Sequence, residues 1–180
     1  MRRRLGQSEG ALLVVKGNLA TTYDGLGRLE EALPLRHEVF SEFVKRIGVE
    51  DERTLASAMN YACTLRDLDR RTDATGQPHT WHRSQRAKFL LRKLIPVARR
   101  VLGEGHEQTI RMRLVYAMCL SDPDAAPRDD VAEATTLLEE LLRTAQRIYG
   151  PANPLVKNIK ETLEYAQKKL TRLDRRLSTR

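Results

Sequence analysis

Cysteine, aromatics and long apolar runs are all scarce in this 180-residue chain, and each scarcity removes a class of protein. Two cysteines cannot supply the cross-links on which a small secreted fold depends, so the thiols fit a reducing compartment. No stretch approaches the roughly 20 apolar residues that span a bilayer. The basic start Met1-Arg2-Arg3-Arg4 meets Gln7, Ser8 and Glu9 where a signal peptide needs its apolar segment, which argues against export and for a cytoplasmic location. Ten Gly and seven Pro are too few for a fibrous or low-complexity chain, and 41% hydrophobic residues are too many for disorder.

Motifs of catalysis are missing as well. Gly25-Leu26-Gly27 opens a helix, but no strand precedes it and no third glycine follows where a dinucleotide would need one. His79 and His82 are too closely spaced for the usual zinc-finger pair, and no Cys-x-x-Cys accompanies them. Cys63 and Cys119 lie in apolar helical stretches, where cysteine acts as a small hydrophobe. The chain therefore reads as a non-enzyme, with no metal, no cofactor and no small-molecule substrate expected.

What is present is a repeat. An apolar or aromatic residue followed by glycine recurs at Leu5-Gly6, Ile47-Gly48, Leu102-Gly103 and Tyr149-Gly150. Those glycines lie 42, 55 and 47 positions apart, which a 42-residue frame accommodates with insertions of 13 and 5 residues. Ala32, Ala87 and Ala134 each stand sixteen positions before a glycine. Ala20, Ala62 and Ala117 each stand fourteen after one, with Glu164 in the fourth such slot. Small residues at fixed places let helices approach to the roughly 8–10 Å of close packing. Glycine after an apolar last turn, with Lys45-Arg46 or Arg99-Arg100 before it, is a helix C-terminal signature.

Apolar residues at spacings of three and four, as in Leu29, Ala32, Leu33, Val39, Phe40 and Phe43, predict helices throughout. Seven are expected, over 8–25, 28–47, 52–67, 82–102, 106–120, 129–149 and 153–177. Residues 1–180 are expected to form one all-α domain with repeats 8–48, 52–103 and 106–150 and a capping helix 153–177. The insertion 69–82, with Gly76, Pro78 and the only tryptophan, Trp81, reads as a surface loop whose Trp81 either folds back over the gap it opens or stands out as an aromatic anchor for a partner.

The run from Gly17-Asn18-Leu19-Ala20 through Tyr23, Gly25, Gly27, Glu31-Ala32 and Pro34-Leu35 resembles a tetratricopeptide (TPR) repeat. The longer frame, with Leu102-Gly103-Glu104-Gly105-His106-Glu107-Gln108-Thr109, is similar to the subtype found in kinesin light chains. Asn18 and Asn60 match the asparagine this subtype carries on its first helix, and Val115 replaces it in the third repeat. The resemblance implies a right-handed α-solenoid of antiparallel helix pairs whose first helices line a concave groove for a partner peptide or helix. Carried over slot by slot, the implied groove residues are Asn18, Thr21 and Asp24, then Asn60, Cys63 and Arg66, then Arg111, Val115 and Met118. One subgroup clamps a terminal carboxylate with two asparagines and three basic residues. Asn18, Asn60 and Arg111 match that set, while Val14 and Val115 depart from it. A plainer role for Asn18 and Asn60 is to hydrogen-bond a neighbouring helix and set the stacking.

The net charge of +8 comes from 32 Lys+Arg against 24 Asp+Glu and gathers at Lys168, Lys169, Arg172, Arg175, Arg176 and Arg180. The last helix should lay Leu155, Ile159, Leu163, Ala166 and Leu170 on the stack and turn Lys157, Lys160, Lys168, Lys169 and Arg172 to water. No aromatic residue interleaves those cations, so base stacking on nucleic acid is not supported. The leading function is a scaffold that holds a protein partner. The alternatives are a packing segment of a longer array and salt-sensitive polyanion binding through the basic helix. Self-association through the open N-terminal end is a further expectation.

Overall fold

The computed structural model describes residues 7–74, 82–121 and 126–178. Among them are seven α-helices and no strand. They are α1 (Gln7–Gly25), α2 (Leu29–Ile47), α3 (Glu52–Ala74), α4 (His82–Leu102), α5 (Glu107–Ser121), α6 (Arg128–Tyr149) and α7 (Pro154–Ser178). None of these helices is long and apolar enough to cross a membrane. The chain forms two compact units, Met1–Gly103 with α1–α4 and Glu104–Arg180 with α5–α7.

In the first unit α1 packs on α2, α2 on α3 and α3 on α4. Lys16 meets Glu38 at 2.5 Å while Asp24 meets Arg36 at 2.6 Å, so contacts that advance along α1 retreat along α2. That reversal marks an antiparallel pair. Only Leu26, Gly27 and Arg28 separate the two helices, and Gly27 turns the chain at φ +76°. The buried stripe of α2 is Leu29, Ala32, Arg36, Val39, Phe43 and Ile47, one side of a 3.6-residue period with a single cation on it.

In the second unit α5 is held by both α6 and α7. Tyr116 donates to Glu133 at 2.9 Å and Arg113 to Glu140 at 3.4 Å, again in antiparallel order. Arg128 reaches Asp174 at 2.6 Å and Gln167 reaches Glu139 at 3.4 Å, which fixes α7 against α6 in the same sense. His106 starts α5: its Nδ1 accepts from the Gln108 amide at 3.2 Å, as the helix-start motif requires.

Ala20, Ala32, Ala62 and Ala87 in the first unit, and Ala117 and Ala134 in the second, are all fully buried, whereas Glu164 is exposed. Gly48, Gly103 and Gly150 each take a positive φ directly after a helix, where any side chain would be strained. Each amide folds back onto the last turn, Gly150 for instance donating to the Gln146 carbonyl at 3.0 Å.

Six of the seven helices match their expected spans to within one residue at each end; α3 does not. Its helix was expected to stop at 67 and instead runs to Ala74, so half of the expected 69–82 loop is helical. The reason is chemical. Leu68 is buried, and the Asp69 carboxylate, also buried, accepts the Ser84 amide at 2.6 Å in the first turn of α4. The first glycine or proline after position 67 is Gly76, beyond the end of α3. Trp81 lies outside the described residues, so the expectation placed on it stands apart from the fold.

The last helix buries Leu155, Val156, Ile159, Leu163 and Ala166, and exposes Lys157, Lys160, Lys168 and Arg172. Lys169 corrects the expectation. It is half-buried, and its Nζ donates to the Ser121 carbonyl at 2.9 Å, placing a cation on the negative end of the α5 dipole.

Candidate functional site

The first unit contains a cleft of about 290 Å³ bounded by three helices. Its floor is α2, through the buried Arg36, Val39 and Phe43. One wall is α1, through Leu13, Val14, Gly17, Asn18 and Thr21. The other is the Arg53, Ala56, Ser57 and Asn60 face of α3, spaced three, four and seven as one side of a helix must be. Gly17 keeps the α1 wall low: a Cβ there would meet nothing within 4 Å.

Arg36 dominates the floor. It is 8% exposed, and its Nη2 donates to Asp24 Oδ2 at 2.6 Å and Thr21 Oγ1 at 3.1 Å. Asp24 Oδ1 in turn accepts from Thr64 Oγ1 at 3.3 Å. One carboxylate therefore ties α1, α2 and α3 together and holds the guanidinium at the cleft floor. Arg36 Nε remains buried and without a hydrogen-bond partner, a state that costs roughly 1–3 kcal/mol. The second cation of the cleft, Arg53, is engaged by Asp51 at 2.9 Å. Among the described residues no carboxylate lines the cleft itself.

Of the sequence-derived groove residues, Asn18, Thr21 and Asn60 line this one cleft, and Asp24 stands behind it as the partner of Arg36. Among the described residues no hydrogen bond joins the side-chain amide of Asn18 or Asn60 to a neighbouring helix; both residues line the cleft, and their backbone carbonyls accept from Thr22 and Thr64 Oγ1. Cys63 and Arg66 lie further along α3 and do not line it. Burial pushes the Cys63 thiol up to about 11, which keeps it protonated and unreactive. Arg66 sits on Asp67 at 2.7 Å. Arg111 and Met118 belong to the second unit, where Arg111 is exposed and pairs with Glu107 at 2.7 Å and Met118 is half-buried. Val115 is buried and offers no surface to a ligand.

Arg36 itself escaped the groove pattern, because the family slots fall on first helices and Arg36 is on a second one. Its signal was in the sequence all the same: a lone arginine on the stripe that otherwise reads Leu29, Ala32, Val39, Phe43 and Ile47.

No protein-family model and no curated protein matches the chain. Among solved structures it is similar to a Podosopora anserina protein described as carrying nearly identical TPR-like repeats of the kinesin light chain kind. The TM-score is 0.69 at 21% identity, over 91% of this chain and 69% of that one. The fold is thus that of TPR-like repeats, all-α and built from helix pairs.

Proposed function

We propose that the chain is a non-enzymatic protein-interaction module, and that its first unit holds an extended segment of a partner protein in the α1–α2–α3 cleft. The observation that carries this reading is the pairing of a nine-tenths buried arginine that has an unpartnered Nε with two asparagine amides that bond no other helix. A side-chain amide offers a donor and an acceptor together, matching the acceptor and donor of a peptide bond. Arg36 and Arg53 are already paired with Asp24 and Asp51, which stand outside the lining, but a guanidinium carries five donors, and those left over favour an acidic group on the segment. Leu13, Val14, Val39 and Phe43 suit an apolar side chain next to it. A cytoplasmic location and one continuous repeat domain over 1–180 belong to the same reading.

The polyanion alternative draws less support. One cation of the basic run, Lys169, is spent inside the molecule on the Ser121 carbonyl.

The test is selection of a random peptide library displayed on phage against the purified 180-residue chain, followed by titration of the enriched peptides. Peptides with a carboxylate beside an apolar residue should emerge. Asn60→Ala and Arg53→Ala should each weaken them about 5- to 50-fold, the range of one hydrogen bond to a neutral or charged group. Enriched peptides that bind both variants as tightly as the unaltered chain would sink the cleft as the site.

A further inference from the structure

Three sides of α1 do three different things. Leu13 and Ala20 pack inward, while Val14, Gly17, Asn18 and Thr21 face the cleft. The remaining side carries Leu12, Val15 and Leu19, which are 53%, 61% and 41% exposed, and Leu26 in the following turn is 66% exposed. With Thr22 between them these residues alternate spacings of three and four, the pattern of a helix–helix seam. At about 100° of rotation per residue the seam lies opposite Gly17 and Asp24, away from the cleft. Contiguous exposed apolar side chains of this kind mark an interaction surface, so this face calls for a cover.

Charge argues for what covers it. At +8 the chain repels its own copies over most of its surface, yet the seam bears no charge at all. The cations at its borders are neutralised within the molecule. Lys16 pairs with Glu38 at 2.5 Å, and Arg28 pairs with Glu31 while its guanidinium lies 4.7 Å from the centre of the Tyr23 ring. Two copies can meet here without confronting unpaired like charges. The outward side of α7, by contrast, exposes Lys157, Lys160, Glu161, Glu164 and Lys168. Laying the seam of one copy on that side of the next would strip water from all five charges, so head-to-tail stacking is disfavoured. Seam on seam is the self-complementary arrangement that a two-fold dimer uses.

Size sets the strength. A helix of 19 residues is about 28 Å long, and a strip about 10 Å wide along it is well short of the roughly 800 Å² per partner of a standard complex. We propose that the chain forms a weak, reversible two-fold dimer through α1, with Leu12, Val15 and Leu19 of one copy packed on the same residues of a second.

Sedimentation velocity on the full 180-residue chain, from about 5 μM to about 1 mM, tests this. A dimer fraction that rises with concentration is expected, and it should rise further at higher salt, because screening removes the repulsion between the two net charges. Leu19→Glu and Val15→Glu should each raise the dissociation constant at least about 10-fold, with helicity by circular dichroism unchanged because both sites are exposed. Phe89→Glu, at an exposed apolar residue of α4, should leave the dimer intact. A monomer at every concentration and salt would overturn the proposal. So would a dimer that survives both α1 substitutions, or one that Phe89→Glu abolishes. Because Leu12, Val15 and Leu19 do not line the cleft, loss of peptide binding and loss of the dimer are separate results.

Discussion

Arg36 and Asp24 meet at 2.6 Å across the α1–α2 pair, and the arginine arrives from a helix position otherwise reserved for core residues. Its side chain is 9% exposed and that of Asp24 is 27% exposed, so the pair is buried on one side only. Removing one partner of a fully buried pair costs roughly 3–5 kcal/mol, mostly because the other charge is stranded. Here the stranding is lopsided. Asp24→Ala leaves the largely buried guanidinium at the cleft floor with only the Thr21 hydroxyl as partner and should cost about 2 kcal/mol, whereas Arg36→Met leaves a carboxylate that water reaches more easily and should cost less. Urea unfolding of the two variants checks the order, and the reverse order would mean that Asp24 is held by something other than Arg36.

Ala62 is fully buried at a slot the repeat reserves for a small residue. Ala62→Leu should overpack the contact and lower stability by about 1–3 kcal/mol. Glu164→Ala, at the exposed position of the same slot, should stay within about 0.5 kcal/mol of the unaltered chain. Thermal melts of both variants suffice. An unchanged midpoint for Ala62→Leu would refute the repeat register.

Two adjacent lysines should behave differently. Lys169 is bonded to the Ser121 carbonyl and Lys168 is exposed. Lys169→Ala should cost about 1 kcal/mol and Lys168→Ala almost nothing. Equal effects in denaturant titrations would mean that the tether to α5 contributes no stability.

The Cys63 thiol, pushed up to about 11 from 9.0 by burial, should label slowly. Near pH 8 its thiolate population is about 100-fold below that of an ordinary cysteine, and iodoacetamide labelling, followed peptide by peptide, should slow accordingly. The sign for stability follows from the same shift. Between about pH 9 and about pH 11 the unfolded chain gives up a proton that the folded chain keeps, so stability falls as pH rises through that window. Cys63→Ala should flatten that part of the profile.

The helices and their partners were legible because periodicity and small-residue slots act through local geometry. Six alanines and three glycines, spaced in the sequence alone, were enough to locate six fully buried small-residue positions and three helix ends. The end of α3 departs from the expectation because the composition at 69–82 resembles a loop, while the partner of the buried Asp69 carboxylate is Ser84, fifteen positions away. The cleft was half legible. Asn18, Thr21 and Asn60 follow from the slots of first helices, but Arg36 needed the tertiary fact that the α2 stripe is open to the gap between α1 and α3. Lys169 was taken for solvent-facing because its partner is a backbone carbonyl, and no sequence pattern announces a backbone acceptor.

The bond between Asp69 and the Ser84 amide has a use beyond capping α4. The 2.6 Å hydrogen bond between positions 69 and 84 closes a ring of chain in all but covalent terms. Lengthening such a ring costs only closure entropy, about 0.6 kcal/mol for each doubling. That makes the interval a port where a tag, a reporter domain or a foreign epitope can be spliced into the chain without redesigning the stack around it.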